Sequence, residues 1–170
     1  VFYYGIIGWC FVYNIGDYLI YGENGVYTVS DIGNLDLKGN SRGAVYYTLQ
    51  PVFGKGSCFV PIDTPVYMRP IMSVDEANSL IERIPSIEPA ICEDNRFNHI
   101  EAFYKGYFKQ HTTDALVAII KGLNLKLSEK NSRSVRGEIT LKRARDLLFG
   151  ELAVVLEMEP NEIPAHIGLV

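Results

Sequence analysis

Met68-Arg69-Pro70-Ile71-Met72-Ser73-Val74-Asp75-Glu76-Ala77-Asn78-Ser79-Leu80-Ile81 is the stretch in which the hydrophobic period of the chain changes. Before it, apolar residues alternate with polar ones in short runs, the period-2 signal of strands. After it, Val74, Ala77, Leu80, Ile81 and Ile84 recur at helical spacing until Pro85 stops the run. Ser73-Val74-Asp75-Glu76 reads as a capping box, the Ser73 hydroxyl taking the Glu76 amide while the Glu76 carboxylate reaches back. A domain boundary is expected here, giving an extension over 1–10, a β-domain over 11–72 and a helical domain over 73–170.

Upstream of the switch the expected strands are Asp17–Tyr21, Gly25–Ile32, Val45–Leu49, Ser57–Val60 and Val66–Ile71. Glu23-Asn24-Gly25 and Phe53-Gly54-Lys55-Gly56 supply residues tolerant of positive φ for the turns between them. Five short strands with close turns imply a small barrel, since closure removes exposed edges. Downstream, Pro85-Ser86-Ile87-Glu88-Pro89 reads as a stiff connector. A second helix is expected from Asn95 to Lys109 and a third from Thr112 or Thr113, burying Leu116, Ile119, Ile120 and Leu123. Residues from Lys126 to Glu138 have no apolar period and read as a basic loop. Thr140 is expected to cap a long last helix with Leu141, Ala144, Leu148, Leu152 and Val155 on its apolar stripe, and a close backbone approach is expected to explain Gly150 within it. A terminal turn or helix is expected from Pro160. The fold class is therefore α+β, a five-stranded β-barrel followed by an all-helical domain of four to five helices.

The 170 residues are 48% hydrophobic and 21% charged, which excludes a disordered chain and suits two small cores. No apolar run reaches the roughly 20 residues of a membrane span. Phe2, Tyr3, Tyr4, Ile6, Ile7, Trp9 and Cys10 cluster without a basic leader or a small-residue cleavage site, so they read as an extension. The net charge is −4, but from Arg96 to Arg145 eleven basic residues face four acidic ones, leaving that window at +7. A charge split of this kind suggests a polyanion partner for the second half, although solvated helix faces also account for it.

Catalytic and metal constellations are missing from the sequence. Gly54-Lys55-Gly56-Ser57 lacks the spacing of a phosphate loop, and His99, His111 and His166 are isolated from one another. Cys10, Cys58 and Cys92 are too scattered for a disulfide framework or a metal pair, and a reducing cytoplasm suits them. Glu93 and Asp94 beside Arg96 fit a helix N-terminus better than an acid/base pair. No enzymatic activity, cofactor or metal is expected.

Several passages resemble, in order and spacing, the landmarks of the CarD/CdnL regulators, whose N-terminal module is shared with the polymerase-interacting domain of transcription-repair coupling factor. They are Tyr13-Asn14-Ile15-Gly16-Asp17-Tyr18-Leu19-Ile20-Tyr21 with Asn24-Gly25-Val26, then Phe59-Val60-Pro61-Ile62-Asp63 and Met68-Arg69-Pro70-Ile71-Met72-Ser73. Glu93-Asp94-Asn95-Arg96 and Ala144-Arg145-Asp146-Leu147-Leu148-Phe149-Gly150-Glu151-Leu152-Ala153 continue the match, which runs from Phe11 onward.

The resemblance implies a Tudor-like or SH3-like barrel that binds the RNA polymerase β subunit by strand addition. It also implies a helical domain on promoter DNA at the upstream edge of the bubble, making largely sequence-independent phosphate contacts that stabilise the open complex. Leu35, Tyr47, Leu49, Phe59 and Pro61 are the implied polymerase contacts, Leu35 and Phe59 standing where some relatives carry arginines. Ile91, Arg96, Phe97, His99, Lys105, Lys109, Lys130, Arg133, Arg136 and Lys142 are the expected DNA contacts. Family members carry a tryptophan that wedges into the minor groove. Here the single tryptophan is Trp9, outside the match, and the wedge position falls on Ile91 or Phe97 depending on the alignment. Both also fit plain core residues. The implied location is cytoplasmic and nucleoid-associated, without membrane contact; oligomeric state stays open, a monomer being the simpler expectation. The alternative reading is an RNA- or ribosome-binding adaptor with an SH3-like barrel.

Overall fold

A computed structural model describes residues 13–34, 44–94, 96–128 and 135–169, apart from the Phe97 side chain. The chain divides between Ile71 and Met72 into two units, each with its own apolar core.

The first unit is a five-stranded antiparallel sheet of β1 (Tyr18–Tyr21), β2 (Val26–Asn34), β3 (Val45–Pro51), β4 (Cys58–Pro61) and β5 (Met68–Pro70). The spatial order is β4-β3-β2-β1-β5. The β1–β2 turn closes where expected, with Gly25 at φ 97° and the Tyr21 amide donating to the Gly25 carbonyl at 3.1 Å. One irregularity decides which side chains enter the core. Val29 pairs with Leu49 and Asp31 with Thr48, so Ser30 is an extra residue bulged out of β2. Without the bulge, strict alternation would put Asp31 on the face of Val29. With it, Asp31 stays exposed while Ile32 packs against the core of Leu19, Val29, Tyr47, Leu49 and Val60. The Ser30 hydroxyl donates to the Thr48 carbonyl at 3.0 Å and so satisfies a group at the irregularity.

The second unit is helical: α1 (Val74–Arg83), a single 3-10 turn (Ile84–Ser86), α2 (Phe97–Phe108), α3 (Thr113–Ser128), α4 (Val135–Leu156) and α5 (Ile163–His166). The capping box of α1 is formed, with the Glu76 amide donating to Ser73 Oγ at 3.2 Å and the Ser73 amide to Glu76 Oε2 at 2.7 Å. Glu151 of α4, fully buried, accepts the Met72 amide at 2.9 Å and ties down the start of this unit.

Two sequence expectations are corrected. The basic loop expected from Lys126 to Glu138 is helical through Ser128 and again from Val135, and Thr140 lies inside α4 instead of capping it. The apolar period fails there because Val135 and Ile139 are 74% and 63% exposed, so the first turns of α4 have no core to match. The terminal turn does begin at Pro160, as expected, and leads into α5 at Ile163.

A close backbone approach is found at Gly122 of α3. A Cβ there would overlap the carbonyl of Ala90, whereas one on Gly106 of α2 would meet nothing within 4 Å. Gly122→Ala is therefore expected to destabilise the helical unit by roughly 1–3 kcal/mol through overpacking. Gly106→Ala is expected to stabilise it by about 0.5–1 kcal/mol by removing a helix-interior glycine. Chemical denaturation of the two variants checks the opposite signs.

Candidate functional site

Between the 3-10 turn and α2, residues 87–94 have no helix or strand and lie as a strap across α3. The Ala90 amide donates to the Ala118 carbonyl at 2.8 Å, directly over Gly122. Ala90 and Cys92 are buried, and Ile91 between them is 45% exposed.

Two lysines of α3 hold the backbone of this region. Lys121 Nζ donates to the carbonyls of Ile84 at 3.0 Å, Pro85 at 3.2 Å and Ile87 at 2.5 Å. These carbonyls belong to the end of α1 and the turn after it, where helical partners run out and a cation is favoured by the helix dipole. Lys126 Nζ donates to the Cys92 carbonyl. Beneath the strap the Tyr104 hydroxyl is buried without a hydrogen-bond partner among the described residues, and burial first, then Cys92 and Tyr107, push its pKa up to about 12.

Asp94 organises the entry to α2. Its Oδ1 accepts the Arg96 amide at 2.8 Å, its two oxygens receive the Arg96 guanidinium at 2.7 to 3.1 Å, and His99 Nδ1 lies 2.6 Å from Oδ2. The Arg96 side chain, then its amide, then His99 hold the Asp94 carboxyl well below the usual carboxylate range. Arg96 and His99 remain exposed, so the strap and the α2 N-terminus bring Ile91, Arg96 and His99 into one region of chain. The reading of Glu93 and Asp94 as a helix start is correct for Asp94, but sequence reasoning missed its part in orienting Arg96 and His99.

The remaining expected DNA contacts lie on α2 and α4. Lys105 and Lys109 are exposed and one helical turn apart. The Arg143 guanidinium sits 4.8 Å from the Phe108 ring centroid, which links the basic part of α4 to the end of α2. Arg136 is exposed, and Lys142 pairs with Asp146 at 2.5 Å on the surface. Lys130 and Arg133 lie outside the described residues, as does the Phe97 side chain. The +7 window overstates the cationic surface. Lys121 and Lys126 are bonded to backbone, and Arg145 reaches Asn124 at 3.0 Å with its Nε buried.

On the β unit two expected contacts are corrected. Tyr47 and Leu49 are core residues of β3, 4% and 0% exposed, because their register places them inward with Val29 and Val60. Tyr47 Oη also accepts the Tyr13 amide at 3.3 Å. Phe59 is 52% exposed, Pro61 is half-buried, and Leu35 lies outside the described residues.

The free edges follow from the hydrogen-bond alternation. The Ile62 amide donates to the Val45 carbonyl at 3.1 Å, so even-numbered residues of β4 bond β3. The amide and carbonyl of Phe59 and the carbonyl of Pro61 therefore face away from the sheet. At the other edge the Gly22 amide bonds Tyr67 at 2.8 Å and the Ile71 amide bonds Tyr18 at 3.4 Å, so Met68 and Pro70 face outward. Each edge thus carries a proline where a donor would stand, a common restraint on strand pairing.

Among the described residues no group of three or more His, Cys, Asp or Glu is placed to hold a metal ion, and no helix is long and apolar enough to cross a membrane. No protein-family model and no curated protein matches the chain.

Because the folded-state value of Asp94 lies below the unfolded one, its pairing favours the folded state above about pH 4 and fades only as the pH falls through the depressed value. The Asp94 carboxyl carbon is expected to show no NMR titration step near pH 4, where ordinary aspartates titrate. An inflection there would contradict the pairing.

Proposed function

We propose that this chain is a non-enzymatic regulator of bacterial transcription initiation of the CarD type, its β unit binding the RNA polymerase β subunit and its helical unit binding promoter DNA at the upstream edge of the bubble. The observation that carries the reading is the exposure of Ile91 between two buried neighbours, a few residues before the exposed Arg96 and His99. An aliphatic side chain held outward, a few residues before the exposed Arg96, suits a wedge at a DNA fork, where apolar side chains unstack base steps and basic side chains meet phosphate. Of the two candidates for the wedge position, Ile91 is the one with this support.

On the β unit, the order β4-β3-β2-β1-β5 and the bulge in β2 favour a strongly bent sheet of the Tudor or SH3 kind. Strand addition fits the β4 edge, where Phe59 offers an outward amide and carbonyl and an exposed aromatic ring. Lys105, Lys109, Arg136 and Lys142 would supply salt-sensitive phosphate contacts.

Two measurements test this. Phe59→Pro removes the outward donor of β4 together with the exposed ring, leaving the bonds to β3, so the full chain should retain the polymerase β-lobe about tenfold less well; Phe59→Ala, which removes the ring alone, should lose less and Met68→Pro nothing. Sensitivity to Met68→Pro alone would move the contact to the other edge, and no retention by the unmodified chain would end the polymerase reading. Fork-junction DNA should be bound in preference to structured RNA, with log affinity falling by about 0.9 per log unit of salt for each phosphate contact. Ile91→Ala should shorten the open-complex lifetime.

A further inference from the structure

We infer that Lys121 and Lys126, though they belong to the basic window, are positioning residues that fasten the strap so that it presents Ile91, and are not phosphate contacts. This inference rests on the reading of Ile91 as the wedge.

An ammonium group has three donors. Lys121 directs its donors at three backbone carbonyls, those of Ile84, Pro85 and Ile87, leaving none for a phosphate. Lys126 is engaged by the Cys92 carbonyl from the opposite end. Between them the Ala90 amide bonds the Ala118 carbonyl at the one place where Gly122 lets the strap approach the α3 backbone. The strap is therefore fastened at Ile87, Ala90 and Cys92, with attachments on both sides of Ile91. With Ala90 and Cys92 buried and held on either side of it, Ile91 stays outward. Fastening the segment in the unbound protein removes an ordering cost that a loose loop would meet on binding. The side chains that neutralise phosphate and those that aim the wedge are then different lysines and arginines of one basic window.

The test uses the full chain, a fork-junction DNA duplex titrated over a range of salt, and amide hydrogen exchange. Lys126→Met should weaken fork binding by about tenfold, comparable to Ile91→Ala. The double variant should be no weaker than either single one, since both act through the same side chain. The salt slope should be unchanged, and the Ala90 amide should exchange faster. Lys126→Arg, which keeps the donors, should restore binding and protection. A slope shallower by about 0.9 in Lys126→Met would make Lys126 a phosphate contact and overturn the proposal. Additive losses, or unchanged Ala90 exchange, would overturn it equally. If Ile91→Ala binds the fork like the unmodified chain, the wedge reading fails, whereas the salt slope and Ala90 exchange still decide whether Lys126 fastens the strap. Should Lys126→Met fail to fold, Lys121→Met releases the other end and is read in the same way.

Discussion

The helical unit is organised around the contact in which the Ala90 amide meets the Ala118 carbonyl over Gly122. With no side chain between strap and helix, the backbone between α1 and α2 lies directly on α3. That proximity lets Lys121 reach the carbonyls at the end of α1 and Lys126 reach Cys92. It also sets where Asp94 begins α2 and so where Arg96 and His99 are displayed. An alanine at 122 would force strap and helix apart, and each of these attachments depends on their closeness.

The basic residues of this unit divide by what their donors meet. Lys121, Lys126 and Arg145 satisfy groups of the unit itself, and buried carbonyls left without donors are costly. Arg96 is oriented by Asp94 yet exposed, and Lys105 and Lys109 stand on an open helix face. The open cationic surface consists of the second group alone, so its field is weaker and more localised than a sum along the chain suggests.

In the β unit, position along a strand matters less than phase. The single extra residue Ser30 turns Asp31 outward and Ile32 inward and brings β2 into step with Tyr47 and Leu49. Prolines 61 and 70 sit where the outer strands would otherwise offer donors, which narrows strand addition to the few groups around Phe59.

The α+β class, the change of period at Ser73, the capping box and most strand and helix positions were legible in the sequence, because periodicity and capping are local properties carried by neighbours a few residues apart. Ile91, Arg96 and His99 were legible as candidates, but not the carboxylate of Asp94 that gathers two of them. Tyr47 and Leu49, which the resemblance implies as polymerase contacts, lie in the core because inward and outward residues of a strand differ only by register, and the bulge at Ser30 leaves no signature in composition. The start of α4 was missed because an exposed helix end needs no apolar stripe. Whether a lysine turns to solvent or to a carbonyl thirty-odd residues away is set by which segments pack together, and so is the need for glycine at 122. Local order was thus written in the sequence, whereas the inward or outward choice for each charge and aromatic was decided only by tertiary packing.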